Sequence, residues 1–437
     1  MQEFVSIDGI CFDISDFKHR HPGGKHLLEA MNKQDVTDLF EAFHKPNSKS
    51  TKILKTLPVL LQKPRKTKVT TMKQDFEDLK QEIQKRGLYQ TKYRPYAVLF
   101  VTLFVLWNLS FYFLLQYQDY FGTILSAGLF ALFLQQCAFI GHDAGHSAIT
   151  HNLSHDFALG LLVGPLCTGV SISWWRYTHF LHHVSTNVLD RDCDVQHLPF
   201  LAISSDFFKR GGFYSYYHAS AVRFTALHRF LVSRQHILFY PLMFFARWNL
   251  YAQSFSFVLS HAHVKEFFCL LGYWASIWVF LSQVNDSYRV FVWLLLSNGL
   301  AGILHVQITA SHFSMDTMME QNQKTETKSA TTTFLQHQLA TTMDIETTWW
   351  SGWFFGGLQY QVCHHIFPRV ARHHLPEATE LLMIFCAKHH LAYTRVSFPE
   401  ANHRILRRLA MVAAEAKTTE TWNDTHDILW NAINAQG

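Results

Sequence analysis

Charged residues are scarce in this chain. Asp, Glu, Lys and Arg make up 16% of the 437 residues, whereas hydrophobic residues make up 49% and phenylalanine alone occurs 38 times. Soluble globular domains usually carry about a quarter charged residues. The composition therefore excludes an ordinary soluble enzyme and favours a protein with long apolar segments. The net charge of +5 is modest.

The chain also lacks a disulfide framework. It has seven cysteines, an odd number, and no two are arranged as Cys-x-x-Cys. Scattered thiols of this kind favour a reducing compartment. Residues Met1 to Ile10 show no basic-then-apolar pattern, so no cleaved secretory signal is expected. The sequence shows no glycine-rich phosphate loop, internal repeat or nucleic-acid signature, and no nucleic acid is expected as a partner.

Four apolar runs are long enough, or nearly so, to cross a bilayer as helices. They form two hairpins, and a basic connector at residues 63–94 precedes the first run and marks the cytoplasmic side. We therefore expect a multi-pass membrane protein with both termini in the cytoplasm. The predicted spans are Tyr96 to Leu115, Tyr120 to Gly141, Phe267 to Val284 and Arg289 to Thr309.

Two further apolar segments are not expected to span. Phe157 to Ile172 is too short for a crossing and is predicted to be re-entrant or interfacial. His236 to Ser260 contains Arg247, which would be costly in lipid, so an interfacial helix is predicted there.

Histidines form three clusters that follow apolar segments. Their spacings, i, i+4 or i, i+3, i+4, place the side chains of each cluster on one face of a helix. Convergent imidazoles are typical of a transition-metal site. The clusters are His142 and His146; then His179, His182 and His183; then Gln361, His364 and His365, where glutamine takes the first place.

Residues 1–62 are predicted to form a small soluble domain. Short alternating segments precede His21-Pro22-Gly23-Gly24, in which the proline and glycines make a rigid turn. His44 ends a helix-like stretch that begins at Asp35. In the simplest alternative, His21 and His44 only make local hydrogen bonds. The neighbouring His19 and His26 are expected to be solvated.

This segment resembles a cytochrome b5 domain. In such domains the His-Pro-Gly-Gly loop carries one axial haem ligand, and the second ligand follows about one hairpin of helices later. The resemblance implies haem b with His21 and His44 as axial ligands. Two imidazoles on one iron leave no open position, which suits electron transfer.

Nearly the whole chain resembles the membrane front-end desaturases fused to cytochrome b5. The resemblance implies a small α+β haem domain fused to an all-α integral membrane di-iron domain, with about four transmembrane helices, interfacial helices and a cytoplasmic cap. The motifs that carry it are His-Asp-Ala-Gly-His at 142–146, the tryptophan pair before His179, and Gly356-Gly357-Leu358-Gln359-Tyr360-Gln361 leading into His364-His365-Ile366-Phe367-Pro368.

The resemblance also implies a ligand set for two non-haem iron ions. Gln361 would bind iron through a water or orient a neighbouring ligand. The implied ligands are the seven histidines of the three clusters and His312, which follows the fourth span. Three positions depart from the family pattern in ways that concern the hydrogen bonds around the ligands rather than their number: Phe180, Ser311 and Cys363.

Oxidation of an unactivated C–H bond requires a redox metal, and a fused haem domain supplies electrons at about millimolar effective concentration. The implied enzyme is an O2-dependent lipid desaturase of the endoplasmic reticulum membrane, with NADH-cytochrome b5 reductase as electron donor. The lead substrate is the sphingoid base of ceramide, at delta-8. Alternatives are an acyl-lipid or acyl-CoA delta-6 or delta-5 desaturase, a di-iron hydroxylase and a non-enzymatic membrane electron-transfer haem protein. A homodimer is left open.

The expected domains are a haem domain at 1–62, a basic linker with an amphipathic helix at 63–94, and the membrane desaturase domain at 95–437. Several histidines lie outside the metal-site prediction. His305 is expected to be a core residue or to support a ligand. His151 and His155 follow just after the first cluster, and His261 and His263 have no assigned role. The doublets His373-His374 and His389-His390 are expected at the surface.

Overall fold

The computed structural model describes residues 3–44, 48–62, 71–319, 333–422 and 428–435. Residues 63–70, the first part of the predicted basic linker, lie outside this set. The N-terminal domain has a three-stranded antiparallel sheet in the order β1-β2-β3 and three short helices. The strands are β1 (Phe4–Ile7), β2 (Ile10–Asp13) and β3 (Val59–Gln62), and the helices are α1 (Lys25–Ala30), α2 (Thr37–Phe43) and α3 (Lys49–Leu54).

The turn before α1 depends on glycine. Gly24 has a φ of +96°, and a Cβ placed there would lie 2.5 Å from the ring of His26. The alternating strands bury Val5, Ile7 and Phe12 against Leu27 of α1. This arrangement confirms the predicted small α+β domain.

The connector contains the predicted amphipathic helix. It is α4 (Thr71–Lys85), which buries Phe76, Leu79 and Ile83 in one stripe. These side chains belong to the same buried cluster as Val362 and Phe367, next to the third histidine cluster. The connector helix therefore packs on the part of the chain that carries His364 and His365.

The first hairpin consists of α5 (Tyr93–Gln116) and α6 (Tyr120–Gly145). Asp119 caps α6 by accepting a hydrogen bond from the Gly122 N–H over 2.8 Å. After α6 come α7 (Leu153–Leu161), a π-helical turn at Leu162–Leu166, and α8 (Ile172–Val184). As expected, α7 and the turn are too short to span.

The segment after α8 contains the hairpin β4 (Gly212–Ser215) and β5 (Ser220–Arg223), followed by α9 (Ala226–Val232) and α10 (Gln235–Ser260). Arg247 of α10 is 2% exposed. It donates to Tyr251 Oη and to the Thr168 carbonyl, each over 2.8 Å. An interfacial helix was expected because Arg247 would be costly in lipid. That reason does not apply, because protein groups rather than lipid surround the guanidinium.

The second hairpin consists of α11 (Val264–Leu281) and α12 (Ser287–Ala301), which continues after Gly302 as α13 (Ile303–Ala310). Among the described residues, four helical segments are long and apolar enough to cross a membrane, which confirms the expected number of spans. They are Tyr93–Gln116, Tyr120–Gly145, Val264–Leu281 and Ser287–Ala310.

Shorter elements cover the span ends that carry the histidines. A parallel pair of strands, β6 (Asp344–Glu346) and β7 (Arg395–Ser397), joins the segment before the third cluster to the C-terminal helices. These elements are α14 (Phe334–Thr341), β6 (Asp344–Glu346), α15 (Gly352–Phe355), α16 (Gln361–Ile366), α17 (Leu375–Lys388), β7 (Arg395–Ser397), α18 (Phe398–Thr418) and α19 (Ile428–Ile433).

Candidate metal centres

The three histidine clusters meet at one place. The last turn of α6, the helix α8 and the helix α16 carry them, and the turn after α13 adds His312. Two groups of ligand atoms result, and within each group the atoms lie within 4.8 Å of one another. The first group is His142, His146, His179 and His364; the second is His182, His312 and His365.

His183 lies between the two groups. Its ring stacks on that of His365 with centroids 4.2 Å apart, and its centroid is 4.7 Å from that of His146. Its Nε2 is 3.0 Å from His179 Nε2. The structure therefore brings together all eight histidines that the sequence and the family resemblance suggested as ligands.

Neighbouring acceptors orient the rings of the second group. His182 Nδ1 donates to Asp192 Oδ2 over 2.9 Å, His312 Nδ1 donates to the Thr341 carbonyl, and His365 Nδ1 donates to Gln338 Oε1 over 3.0 Å. A ring whose Nδ1 carries the proton presents the Nε2 lone pair to a metal ion. All three Nε2 atoms are thus prepared as ligands.

Several buried ligand atoms at this place have no hydrogen-bond partner among the residues that the structure describes. Leaving a buried polar atom unsatisfied costs about 1–3 kcal/mol, so a native protein rarely keeps several together without a ligand. Bound cations would satisfy them, and the donor set fits two imidazole-bound iron ions. The atoms are His142 Nε2, His146 Nδ1 and Nε2, His183 Nδ1, His364 Nε2 and Gln361 Oε1.

Burial also keeps most of these imidazoles neutral, as a metal ligand must be. It lowers the pKa of His179 to about 3, and burial with mutual repulsion lowers the pKa of His146 and His364 well below the usual value. Burial lowers the pKa of His182 as well, but the carboxylates of Asp192 and Asp194 outweigh it and raise that pKa to about 9.

A second carboxylate supports the first group. Asp143 Oδ2 accepts hydrogen bonds from Tyr96 Oη over 2.6 Å and from Arg372 Nε over 2.5 Å, and its Oδ1 lies 3.7 Å from His142 Nδ1. Arg372 follows the third cluster, so this network ties α5, α6 and the segment after α16 together. Sequence reasoning assigned no role to Asp143, Asp192 or Arg372. The two aspartates could have been identified from one signal in the sequence: an acidic residue next to a histidine cluster or a few residues after it.

The positions that depart from the family pattern have different surroundings. Cys363 is fully buried in the apolar cluster with Phe367. Phe180 contacts the ring of His146 at 5.6 Å between centroids. The Ser311 hydroxyl is buried, and no residue in the described part of the chain forms a hydrogen bond with it. The Gln361 amide nitrogen lies 3.4 Å from His365 Nε2 and 3.5 Å from His312 Nε2, so this side chain faces the second group.

The other histidines lie outside both groups. His155 is exposed, and His151 Nε2 is 3.3 Å from Thr91 Oγ1. His305 is 3% exposed within the fourth span. The surface expectation was wrong for His374, which is 8% exposed and contacts the Gln90 carbonyl over 3.1 Å.

The haem-domain pair is also assembled. The rings of His21 and His44 face each other with centroids 6.3 Å apart. His21 Nδ1 contacts the Gly24 carbonyl and His44 Nδ1 the Phe40 carbonyl, which leaves each Nε2 available. Burial lowers the pKa of His21, and that of His44 to about 4, so both rings are neutral. The pair fits the two axial positions of one haem iron.

His26 corrects another expectation. It is not solvated: its Nε2 donates to the Tyr177 carbonyl of α8 over 2.9 Å, and the two rings lie 3.7 Å apart. The haem domain therefore rests directly on the helix that carries the second histidine cluster.

A small pocket with room for about one water molecule lies beside the first group. His142, Gln361 and His364 line it together with Phe139, Gly356 and Leu358. The first group therefore borders both metal-ligating and apolar side chains.

Comparison with known proteins gives matches over nearly the whole chain. The family model described as "Fatty acid desaturase" matches residues 118–397, and "Cytochrome b5-like Heme/Steroid binding domain" matches residues 2–67. The chain is 32% identical to the Delta(8)-fatty-acid desaturase 2 of Arabidopsis thaliana, over 99% of this chain and 95% of that protein.

Two other relatives differ in their named activity. The Acyl-lipid (9-3)-desaturase of Borago officinalis is 32% identical over 99% of this chain and 95% of the relative. The Delta 8-(E)-sphingolipid desaturase of Kluyveromyces lactis is 35% identical over 79% of this chain and 60% of the relative. The chain belongs to the fatty acid desaturase family, as a lipid-desaturating oxidoreductase with an N-terminal cytochrome b5 domain.

Proposed function

We propose that this enzyme places a delta-8 double bond in the sphingoid long-chain base of ceramide, with O2 and with electrons relayed through its own haem. The observation that carries the desaturase chemistry is the convergence of seven histidines into two groups, with His183 between them, beside a docked haem domain. The delta-8 position and the sphingoid base are supported by the relatives that carry those words in their names.

The proposed iron ligands are the eight histidines. Gln361 is proposed to act beside them, through a water or by orienting His312 or His365. Two iron ions bound there would supply an oxidant able to attack an unactivated C–H bond. The ligand set is His142, His146, His179, His182, His183, His312, His364 and His365.

The protein's own residues position and protect the site. Oxygen atoms of Asp192, Thr341 and Gln338 fix ring orientation by accepting hydrogen bonds from Nδ1–H groups. Burial of nearly all the rings excludes bulk water, which strengthens the electrostatic interactions within the site. Phe139 and Leu358, which line the small pocket beside His142, are proposed to border the alkyl chain where it approaches the site.

The remaining parts of the proposal concern electron supply and location. We propose haem b between His21 and His44, reduced by NADH-cytochrome b5 reductase, with domain boundaries at residues 62 and 94. The protein is proposed to lie in the endoplasmic reticulum membrane with both termini cytoplasmic. Mass measurement of the purified protein in detergent would decide whether it forms a homodimer.

A second candidate substrate is a polyunsaturated acyl chain, desaturated at delta-6 or delta-5. The acyl-lipid relative favours it, because its identity to this chain equals that of the delta-8 relative from Arabidopsis. Hydroxylation of the same lipid by the same centre is a third outcome.

Expression in a yeast strain without delta-8 unsaturated lipids tests the proposal. Sphingoid bases and acyl chains are both profiled by mass spectrometry, and a delta-8 unsaturated base is expected. Alanine substitution at His182 should abolish the product at normal protein level, whereas substitution at the exposed His155 should not. A new acyl double bond or a hydroxylated base instead would overturn the substrate or the reaction, respectively.

A further inference from the structure

The haem domain contacts the second histidine cluster through a small number of residues. His26 stacks on Tyr177, as described above. Arg191 Nη1 donates to the Ala30 carbonyl over 3.1 Å. Leu181 and Cys193 belong to the same buried cluster as the haem-domain core. The two domains therefore share an apolar interface rather than only a tether.

Phe43 occupies the part of this interface nearest the metal site. Its ring lies edge-on to His183, with centroids 5.7 Å apart and an interplanar angle of 90°. Its centroid is 6.4 Å from that of His146 and 5.7 Å from that of Phe180. Among the described residues of the haem domain, Phe43 is the one whose ring contacts these histidines.

Phe43 is also covalently next to His44, the proposed axial haem ligand. One residue thus joins the immediate surroundings of the haem to those of the iron ligands. Electron transfer through protein slows steeply with distance, and a path made of covalent bonds and packed rings is faster than one across empty space. Beside the other proposed haem ligand, His21, the ring of Phe17 packs edge-on with centroids 6.0 Å apart. Among the described residues, Phe17 makes no ring contact with the histidines of the metal groups.

We propose that Phe43 is the bridge through which electrons pass from the haem to the histidine-bound irons. The proposal rests on the proposed haem and iron sites. Each transfer oxidises haem iron from Fe(II) to Fe(III) and reduces one iron of the pair from Fe(III) to Fe(II). A reduced nicotinamide, acting through a flavin reductase, restores the haem. One desaturation consumes O2, two such electrons and two protons, takes two hydrogens from the alkyl chain and releases two waters.

The test measures the haem rather than the product. Full-length protein in lipid nanodiscs is reduced anaerobically with NADH and the reductase, then mixed in a stopped-flow instrument with O2 and ceramide. The absorbance change of the haem gives its reoxidation rate. The variants are Phe43→Leu, which removes the ring but keeps an apolar side chain, Phe43→Tyr, which keeps the ring, and Phe17→Leu as the matched control.

We expect Phe43→Leu to slow reoxidation several-fold, with Phe43→Tyr and Phe17→Leu close to wild type. The rate of haem reduction, the haem midpoint potential and the iron content should stay unchanged in all three. A wild-type rate in Phe43→Leu overturns the proposal. So does an equal loss in Phe43→Tyr, because the residue would then serve packing alone.

If the Phe43→Leu variant does not retain haem or iron, the Phe43→Met variant takes its place in the same experiment. Failure of the proposed function looks different. In that case the wild-type protein itself contains no iron, or its haem reoxidation does not respond to ceramide, whatever residue stands at position 43.

Discussion

Asp192 Oδ2 accepts a hydrogen bond from His182 Nδ1 over 2.9 Å, and both side chains are buried. The carboxylate also accepts from the Asn187 backbone N–H over 2.8 Å, which fixes its position. A carboxylate in this place holds the ring orientation and increases the basicity of Nε2. Asp192 thus prepares a proposed iron ligand without touching the metal.

Substitution Asp192→Asn should therefore lower iron content or activity by about 10- to 100-fold, the usual loss when such a partner is removed. Iron is measured by elemental analysis of the purified protein, and desaturation by lipid profiling. The matched control is Asp206→Asn, at a partly exposed aspartate that accepts from the Ser204 hydroxyl. Wild-type iron content and activity in Asp192→Asn would show that the hydrogen bond has no role at the site.

The proposed haem ligands can be tested in the full-length chain. Alanine at His21 or His44 should abolish the low-spin absorbance spectrum, because each ring is proposed to supply one axial position. His19 is exposed, and His19→Ala should leave the spectrum unchanged. Retention of the low-spin spectrum in both ligand variants would refute the assignment.

Membrane orientation is tested with glycosylation acceptors. An acceptor inserted beside Asp119 or Asp286, in the loops that close the two hairpins, should be modified in microsomes. Asp190 is fully buried, so an insertion there would disturb folding. The exposed turn at Lys209 and Arg210 is the better opposite site and should stay unmodified. Modification in that turn would place the histidine groups on the lumenal side.

Asp344 should make stability depend on pH. Its Oδ1 accepts from the Val362 N–H over 2.9 Å at the start of α16, and burial raises its pKa to about 6. A raised pKa means that the folded state favours the neutral acid, so this contribution to stability is complete below about pH 4 and is lost as pH rises through 6.

The variant Asp344→Asn should thus gain stability relative to wild type between pH 4 and 7, by at most about 3 kcal/mol. Thermal unfolding in detergent across that range measures the difference. Asp206→Asn, at a less buried position, serves as the reference. Parallel pH profiles for Asp344→Asn and wild type would contradict the assignment.

The sequence alone predicts the histidine clusters of the candidate metal site, but few of the residues that hold their rings in place. Histidines one turn apart on α6, α8 and α16 are visible as a helical spacing, so the clusters could be predicted. The hydrogen-bond partners Gln338 and Thr341 could not be predicted. They lie far along the chain from the rings that they orient, and they belong to no periodic pattern. His312 came only from the family resemblance, since a lone histidine after a span has many uses.

Arg247 shows a different limit of prediction from sequence. An arginine inside an apolar stretch predicts a cost in lipid, and that physical argument is sound. The cost is avoided here by Thr168, at the end of the helical segment before α8, and by Tyr251, on the next turn of the same helix. Hydropathy describes how well a residue is tolerated in lipid. It does not show which protein groups will surround that residue in the folded protein.

The shared core of the haem domain has a consequence for how the protein is made. Leu181 and Cys193 complete a cluster that begins with Val5, Ile14 and Leu27. Because a ribosome delivers the N-terminal domain first, that cluster stays incomplete until residue 193 has been translated and α8 is in place. We therefore expect the N-terminal domain to complete its packing only after α8 has been made. A haem domain grafted from a relative would need compatible residues at 181 and 193.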